Sequence, residues 1–107
     1  MNKIPENLNN ERELRGFCFD TDYFKQYNIK SITEIFPNVS KVRDYKKGLY
    51  NFDDITYFDL KCALFFIDRC ANHQGYDYTE SESDLEEIEW ILSELRKRSE
   101  NESKGKQ

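Results

Sequence analysis

The chain has 107 residues, of which 37% are hydrophobic, and a formal net charge of -5. A chain of this length builds one core rather than two and buries roughly 60 to 70% of its surface, which leaves little room for a deep catalytic cavity beside that core. The acidic balance disfavours general binding to a phosphate backbone, which needs a surplus of Lys and Arg to displace counterions, and favours a basic partner.

No stretch approaches the ~20 consecutive apolar residues of a membrane span, and residues 1–13 lack the apolar core of a signal peptide. Three scattered cysteines, Cys18, Cys62 and Cys70, form no disulfide framework and suit a reducing compartment. The expectation is a cytoplasmic protein with free thiols and no membrane association.

In chain order, residues 1–12 are polar, with Pro5, Asn7, Asn9 and Asn10, and are expected to be disordered. The segment Leu14, Phe17, Cys18, Phe19 reads as a short helix or, alternatively, a strand. Asp20, Thr21 and Asp22 can cap a short helix bearing Tyr23, Phe24 and Tyr27. Ser31-Ile32-Thr33-Glu34 has capping-box spacing, in which hydroxyl and carboxylate satisfy each other's backbone donors, and Pro37 is expected to end that turn. A third short helix runs from Asn38 to Lys47, with Val39, Val42 and Tyr45 every third residue and Gly48 as a left-handed cap.

Two longer helices follow. The first spans 54–72 with Asp53 as N-cap; its apolar residues surround nearly the whole circumference and leave one narrow polar stripe at Lys61, Asp68 and Asn72, so this helix is central. The last starts at Ser81 or Ser83 and carries Leu85, Ile88, Ile91, Leu92 and Leu95 on one face, with Arg96, Lys97 and Arg98 complementing the dipole at its end. Residues 99–107 are expected to be disordered. The fold class is all-α: a single domain over 13–98 with several short N-terminal helices and two longer C-terminal ones.

Asp59, Cys62, Arg69, Cys70 and His73 project onto one sector of the central helix. The plain reading pairs Arg69 with Asp59 or a distant carboxylate and makes the cysteines small apolar fillers. The sharper one is a zinc-stabilised domain using Cys62, Cys70 and His73, with Cys18 from afar, since thiolate and imidazole suit tetrahedral zinc. Its spacing is incomplete: Cys62 and Cys70 lie roughly 12 Å apart along the helix, too far to share one ion, so no cofactor is expected. With a single His and no serine elbow, phosphate loop or dinucleotide fingerprint, the chain is not expected to be an enzyme.

The densest anomaly is the acidic run Asp77, Glu80, Glu82, Asp84, Glu86, Glu87 and Glu89, with no Lys or Arg between His73 and Arg96. Its plain reading is a solvated helix face favoured by the dipole; its functional reading is a surface that docks on a basic protein and imitates a nucleic-acid backbone. Calcium is excluded, because the spacing lacks the central Gly and Ile88 stands where the bidentate Glu is needed. A smaller basic cluster, Lys41, Arg43, Lys46 and Lys47 around Tyr45, is explained by the dipole of the third helix.

The stretch from Ile35-Phe36-Pro37 through Tyr45-Lys46-Lys47-Gly48-Leu49, Phe58-Asp59-Leu60, Ala63-Leu64-Phe65-Phe66-Ile67 and Arg69 to Ile91-Leu92 and Leu95 resembles small helical proteins of bacteriophages and low-GC Gram-positive bacteria. Such proteins include inhibitors of host defence, among them anti-CRISPR proteins that occupy the basic nucleic-acid channel of a Cas nuclease. The resemblance implies a non-enzymatic, phage-encoded inhibitor whose partner is a Cas nuclease or another nucleic-acid-binding protein, with no direct nucleic-acid contact. A third alternative is an oligomerising scaffold using aromatics such as Trp90, which is expected to be partly buried.

Overall fold

A computed structural model describes residues 4–6, 8, 10–18, 21–74 and 82–105, with the side chains of residues 11, 21, 70–74 and 100–105 outside the description. Every regular element among the described residues is helical: α1 (Glu11–Cys18), α2 (Thr21–Lys25), a first 3-10 turn (Ile32–Ile35), α3 (Phe36–Lys46), a second 3-10 turn (Phe52–Asp54), α4 (Tyr57–Gln74) and α5 (Glu82–Gly105). The all-α expectation holds, and the segment around Phe17 is helix, not strand.

Local chemistry sets most of the boundaries. Asn10 Oδ1 accepts the Glu13 N–H at 3.1 Å and starts α1. At the first 3-10 turn, Ser31 Oγ accepts the Thr33 N–H, and the Glu34 carboxylate accepts the Lys30 and Ser31 N–H groups at 2.5 and 2.8 Å. Pro37 does not end that turn but lies in the first turn of α3, where a missing N–H costs nothing. Gly48 adopts φ 91°, its N–H bonded to the Tyr45 carbonyl and the Leu49 N–H to that of Asp44, a Schellman close to α3. The true cap of α4 is Thr56 rather than Asp53: Thr56 Oγ1 accepts from Asp59 N–H, and the Asp59 carboxylate accepts from Thr56 N–H.

Helix α4 packs against α1, α3 and α5. Its 3.6-residue period divides it into two apolar faces. Leu60, Ala63, Leu64 and Ile67 meet Leu14 and Phe17 of α1, Val42 of α3, and Ile88, Ile91, Leu92 and Leu95 of α5; Cys62, with Phe58, Phe65 and Phe66, meets Phe24, Ile35 and Val39. Complete burial of a side chain such as Leu64 or Ile91 contributes about 1.5–3 kcal/mol. The expected last face of α5 is therefore in the core, and Trp90 is half-buried against Tyr45, ring centroids 5.7 Å apart.

The described members of the polar stripe of α4, Lys61 and Asp68, do not face solvent, and the Asn72 side chain lies outside the description. Lys61 and Asp68 are 1% and 0% exposed. The Lys61 ammonium donates to the Phe17 carbonyl at 2.5 Å and lies 3.6 Å from the Phe17 ring centroid, closing the C-terminal end of α1, while Arg15 comes to 3.6 Å from Asp68. Arg69 does not pair with Asp59; it is exposed and lies over the Phe65 ring. Asp59 instead accepts from Asn38 at 2.7 Å and has Lys41 at 3.7 Å, joining α3 to the start of α4.

Arg98 is no dipole-compensating surface charge either. It is 7% exposed and donates to the carbonyls of Ile55 and Phe52 and to Glu94 Oε1 at 3.1 Å, with Phe52 stacked at 4.0 Å. Glu94 also accepts the Tyr45 hydroxyl at 2.5 Å and the Lys97 ammonium at 2.9 Å. Towards the ends, Pro5 is buried with its carbonyl bonded to Arg96, Ile4 and Leu8 pack on the core, and α5 continues past Arg98 to Gly105.

Three outcomes follow for stability. Arg98→Met leaves the buried Glu94 carboxylate short of a partner and should cost about 3 kcal/mol in urea unfolding. Burial pushes the Glu94 carboxyl up, but hydrogen bonds from Tyr45, Lys97 and Arg98 outweigh it and hold the group below its ordinary 4.5. A depressed folded-state value gives stability that is present above 4.5 and lost as pH falls through the folded value, so acid titration of wild type against Glu94→Gln should show that part of the loss only in wild type. Gly48→Ala, forced to a positive φ, should cost about 1 kcal/mol by the same denaturation assay.

Candidate functional site

The residues that α5 withholds from the core form the candidate interface. With Ile88, Ile91, Leu92 and Leu95 turned inward, the 3.6-residue period directs Glu82, Glu86 and Glu89 outward along one stripe, and all three are exposed. Asp84 and Glu87 flank the stripe and are half-buried. Asp77 and Glu80 lie outside the described residues. The described part of the run thus has one face of three exposed carboxylates with two more at its margins.

These carboxylates differ from the buried ones in their partners. Asp59, Asp68 and Glu94 each face a cation, Lys41, Arg15 and Arg98 respectively. Glu82, Glu86, Glu87 and Glu89 make no ion pair with any described residue. Their position in the first turns of α5 is favoured by the positive end of its dipole, so the helix tolerates a field of one sign without internal neutralisation. Trp90 borders the stripe, with the Lys46 ammonium 5.4 Å from its ring centroid.

The basic residues of α3 do not gather round Tyr45. Tyr45 turns inward to Glu94, and the cations spread over separate rings: Lys41 above Tyr50, Arg43 above Phe66 and Lys46 above Trp90. Cation–π contact near the surface contributes about 0.5–1 kcal/mol each and needs no ligand to explain it.

Among the described side chains the thiols belong to the core. Cys18 sits in the larger cluster and Cys62 in the smaller one, and neither is exposed. Burial, with the nearby Asp59 charge, pushes the Cys62 thiol up to about 12, and burial with Asp68 pushes Cys18 up as well. Zinc binds thiolates, so these positions oppose the deprotonation that a metal site needs. The side chains of Cys70 and His73 lie outside the description, and among the described residues no three His, Cys, Asp or Glu groups are placed to hold a metal. No helix is long and apolar enough to cross a membrane among the described residues.

Sequence reasoning missed Glu94 and Arg98 as a structural pair. The available signal was their register: Glu94 follows Ile91 by three residues, and Arg98 follows Leu95 by three and Glu94 by four, which places both on the inward side of α5. Comparison with protein-family models, curated proteins and solved structures found no match. The functional reading therefore rests on this chain's own residues.

With Cys70 replaced by Ser, the two remaining thiols should react with a disulfide reagent only as fast as the protein opens, and at once in denaturant. Rapid labelling of the native C70S protein would contradict their burial.

Proposed function

We propose that this protein is a non-enzymatic binding protein that docks the carboxylate face of α5 on a basic surface of a nucleic-acid-handling protein and so blocks that surface. The observation that carries the reading is the outward stripe Glu82, Glu86, Glu89, exposed and without ion pairs to described residues. Along the helix axis these charges are spaced by about 6 and 4.5 Å, a scale comparable to the ~3.4 Å rise between successive phosphates on a nucleic-acid strand. A channel lined with Arg and Lys that accepts a phosphate backbone accepts such a stripe by the same electrostatics, and encounter is accelerated by charge complementarity.

A rigid helix is the useful element here. Its hydrogen-bonded backbone fixes the carboxylates relative to one another before contact, so little ordering entropy is lost on docking. Within this reading Asp84, Glu87, Asp77 and Glu80 extend the negative field around the stripe. The resemblance to small phage proteins suits an inhibitor of host defence, with a Cas nuclease as one partner of the right chemistry.

The test is affinity capture from a lysate of a low-GC Gram-positive bacterium with wild type, E82Q/E86Q/E89Q and E82K/E86K/E89K. A nucleic-acid-binding protein should be retained by wild type, displaced by single-stranded oligonucleotide, weakened by the Gln variant and lost with the Lys variant. The Lys variant should remain folded with a melting temperature lowered by roughly 4–20 °C, since each of the three reversed charges at a helix start costs about 0.3–1 kcal/mol, and the Gln variant should lie between it and wild type. Equal capture by wild type and the Lys variant would overturn the proposal.

A further inference from the structure

The carboxylate stripe of α5 has a row of opposite sign near it. Arg43, Lys46 and Lys47 close α3; all three are exposed, and none makes an ion pair with a described residue. Asp44, which lies among them in sequence, is half-buried and pairs with none of them.

Trp90 stands between the two rows. At about 100° per residue, the order around α5 is Glu94, Trp90, Glu86, Glu82 and Glu89. Glu94 accepts the Tyr45 hydroxyl of α3, so the carboxylate row lies on the side of Trp90 away from α3. On the α3 side, Lys46 places its ammonium 5.4 Å from the Trp90 ring centroid. Arg43 to Lys47 covers about 6 Å along α3 and Glu86 to Glu89 about 4.5 Å along α5, so either row is within reach of flexible side chains of the other sign. Cations and carboxylates therefore flank one half-buried ring, and inside the chain they form no ion pair with each other.

A patch that is positive on one side of a ring and negative on the other is its own complement about a two-fold axis through the ring. We propose that two copies of this chain pair through this face, with the accessible part of Trp90 near the axis and Arg43, Lys46 and Lys47 of each copy on Glu82, Glu86 and Glu89 of the other. A wholly basic or wholly acidic surface answers one row and repels the other, whereas a second copy answers both. Two chains of net charge -5 repel at long range, but at physiological salt that repulsion is screened beyond about 8 Å, while the contact pairs lie inside that distance. The pairing covers the carboxylates that the docking reading gives to a basic partner, so such a partner must displace the second copy. It does not rest on that reading.

The test is sedimentation equilibrium of the full chain. Wild type should associate reversibly to twice the chain mass, and the association should weaken between about 0.05 and 0.5 M salt. R43E/K46E/K47E and E82K/E86K/E89K should each lose at least about tenfold in self-affinity, with R43Q/K46Q/K47Q intermediate. An equimolar mixture of the two reversed variants should form a heterodimer, because each supplies the row that the other lacks. Circular dichroism identifies the folded variants. The proposal is overturned by a wild type that stays monomeric up to about 1 mM, by undiminished dimers of a folded reversed variant, or by folded reversed variants that stay monomeric when mixed. R43E/K46E/K47E keeps the α5 carboxylates, so its capture of a basic partner reads docking separately from pairing.

Discussion

The enclosure of α4 is the constraint on which the other elements depend. A helix with apolar neighbours on two faces buries Asp59, Lys61 and Asp68 along with its apolar residues, so each of these three must be answered by polar groups of the chain rather than by water. Lys61 reaches the open carbonyl end of α1, Asp68 draws in Arg15, and Asp59 joins its own N-terminus to Asn38 and Lys41 of α3. These contacts tie α1 and α3 to α4 in defined registers, which nonspecific burial of Leu and Phe side chains would not do.

Helix α5 uses one residue type for two purposes. Glu94, turned inward, is held by Tyr45, Lys97 and Arg98, and with Arg98 it locks the loop at Phe52 and Ile55. Glu82, Glu86 and Glu89, turned outward, are left to water. The difference is one of helical phase alone, and it separates a charge that holds the fold from charges available to a partner.

Elements governed by local chemistry were legible in the sequence. The Ser31–Glu34 box, the Gly48 close and the inward face of α5 all lie where spacing put them, because each depends on neighbours within one or two turns. Long-range pairing was not legible. Lys61 and Asp68 read only as a narrow polar stripe on a central helix, because a helical projection shows which residues share a face, not what covers that face; α1 supplies their partners Phe17 and Arg15. The outward phase of Glu82, Glu86 and Glu89 followed from the inward phase of Ile88 and Leu92, whereas the meeting of Lys46 with Trp90 joins residues more than forty positions apart, which no periodicity encodes.

The Arg98 clamp also bears on the order in which the chain can fold during synthesis. Its carbonyl acceptors at Phe52 and Ile55 emerge more than forty residues before the guanidinium that binds them, and the face of α4 formed by Leu60, Leu64 and Ile67 waits 24 to 35 residues for Ile91 and Leu95. Until α5 leaves the ribosome, the growing chain holds an uncovered apolar helix and a loop without its anchor. Folding of this domain is therefore a late, concerted event on the nascent chain, and the interval before it is when chaperones have an exposed surface to grip.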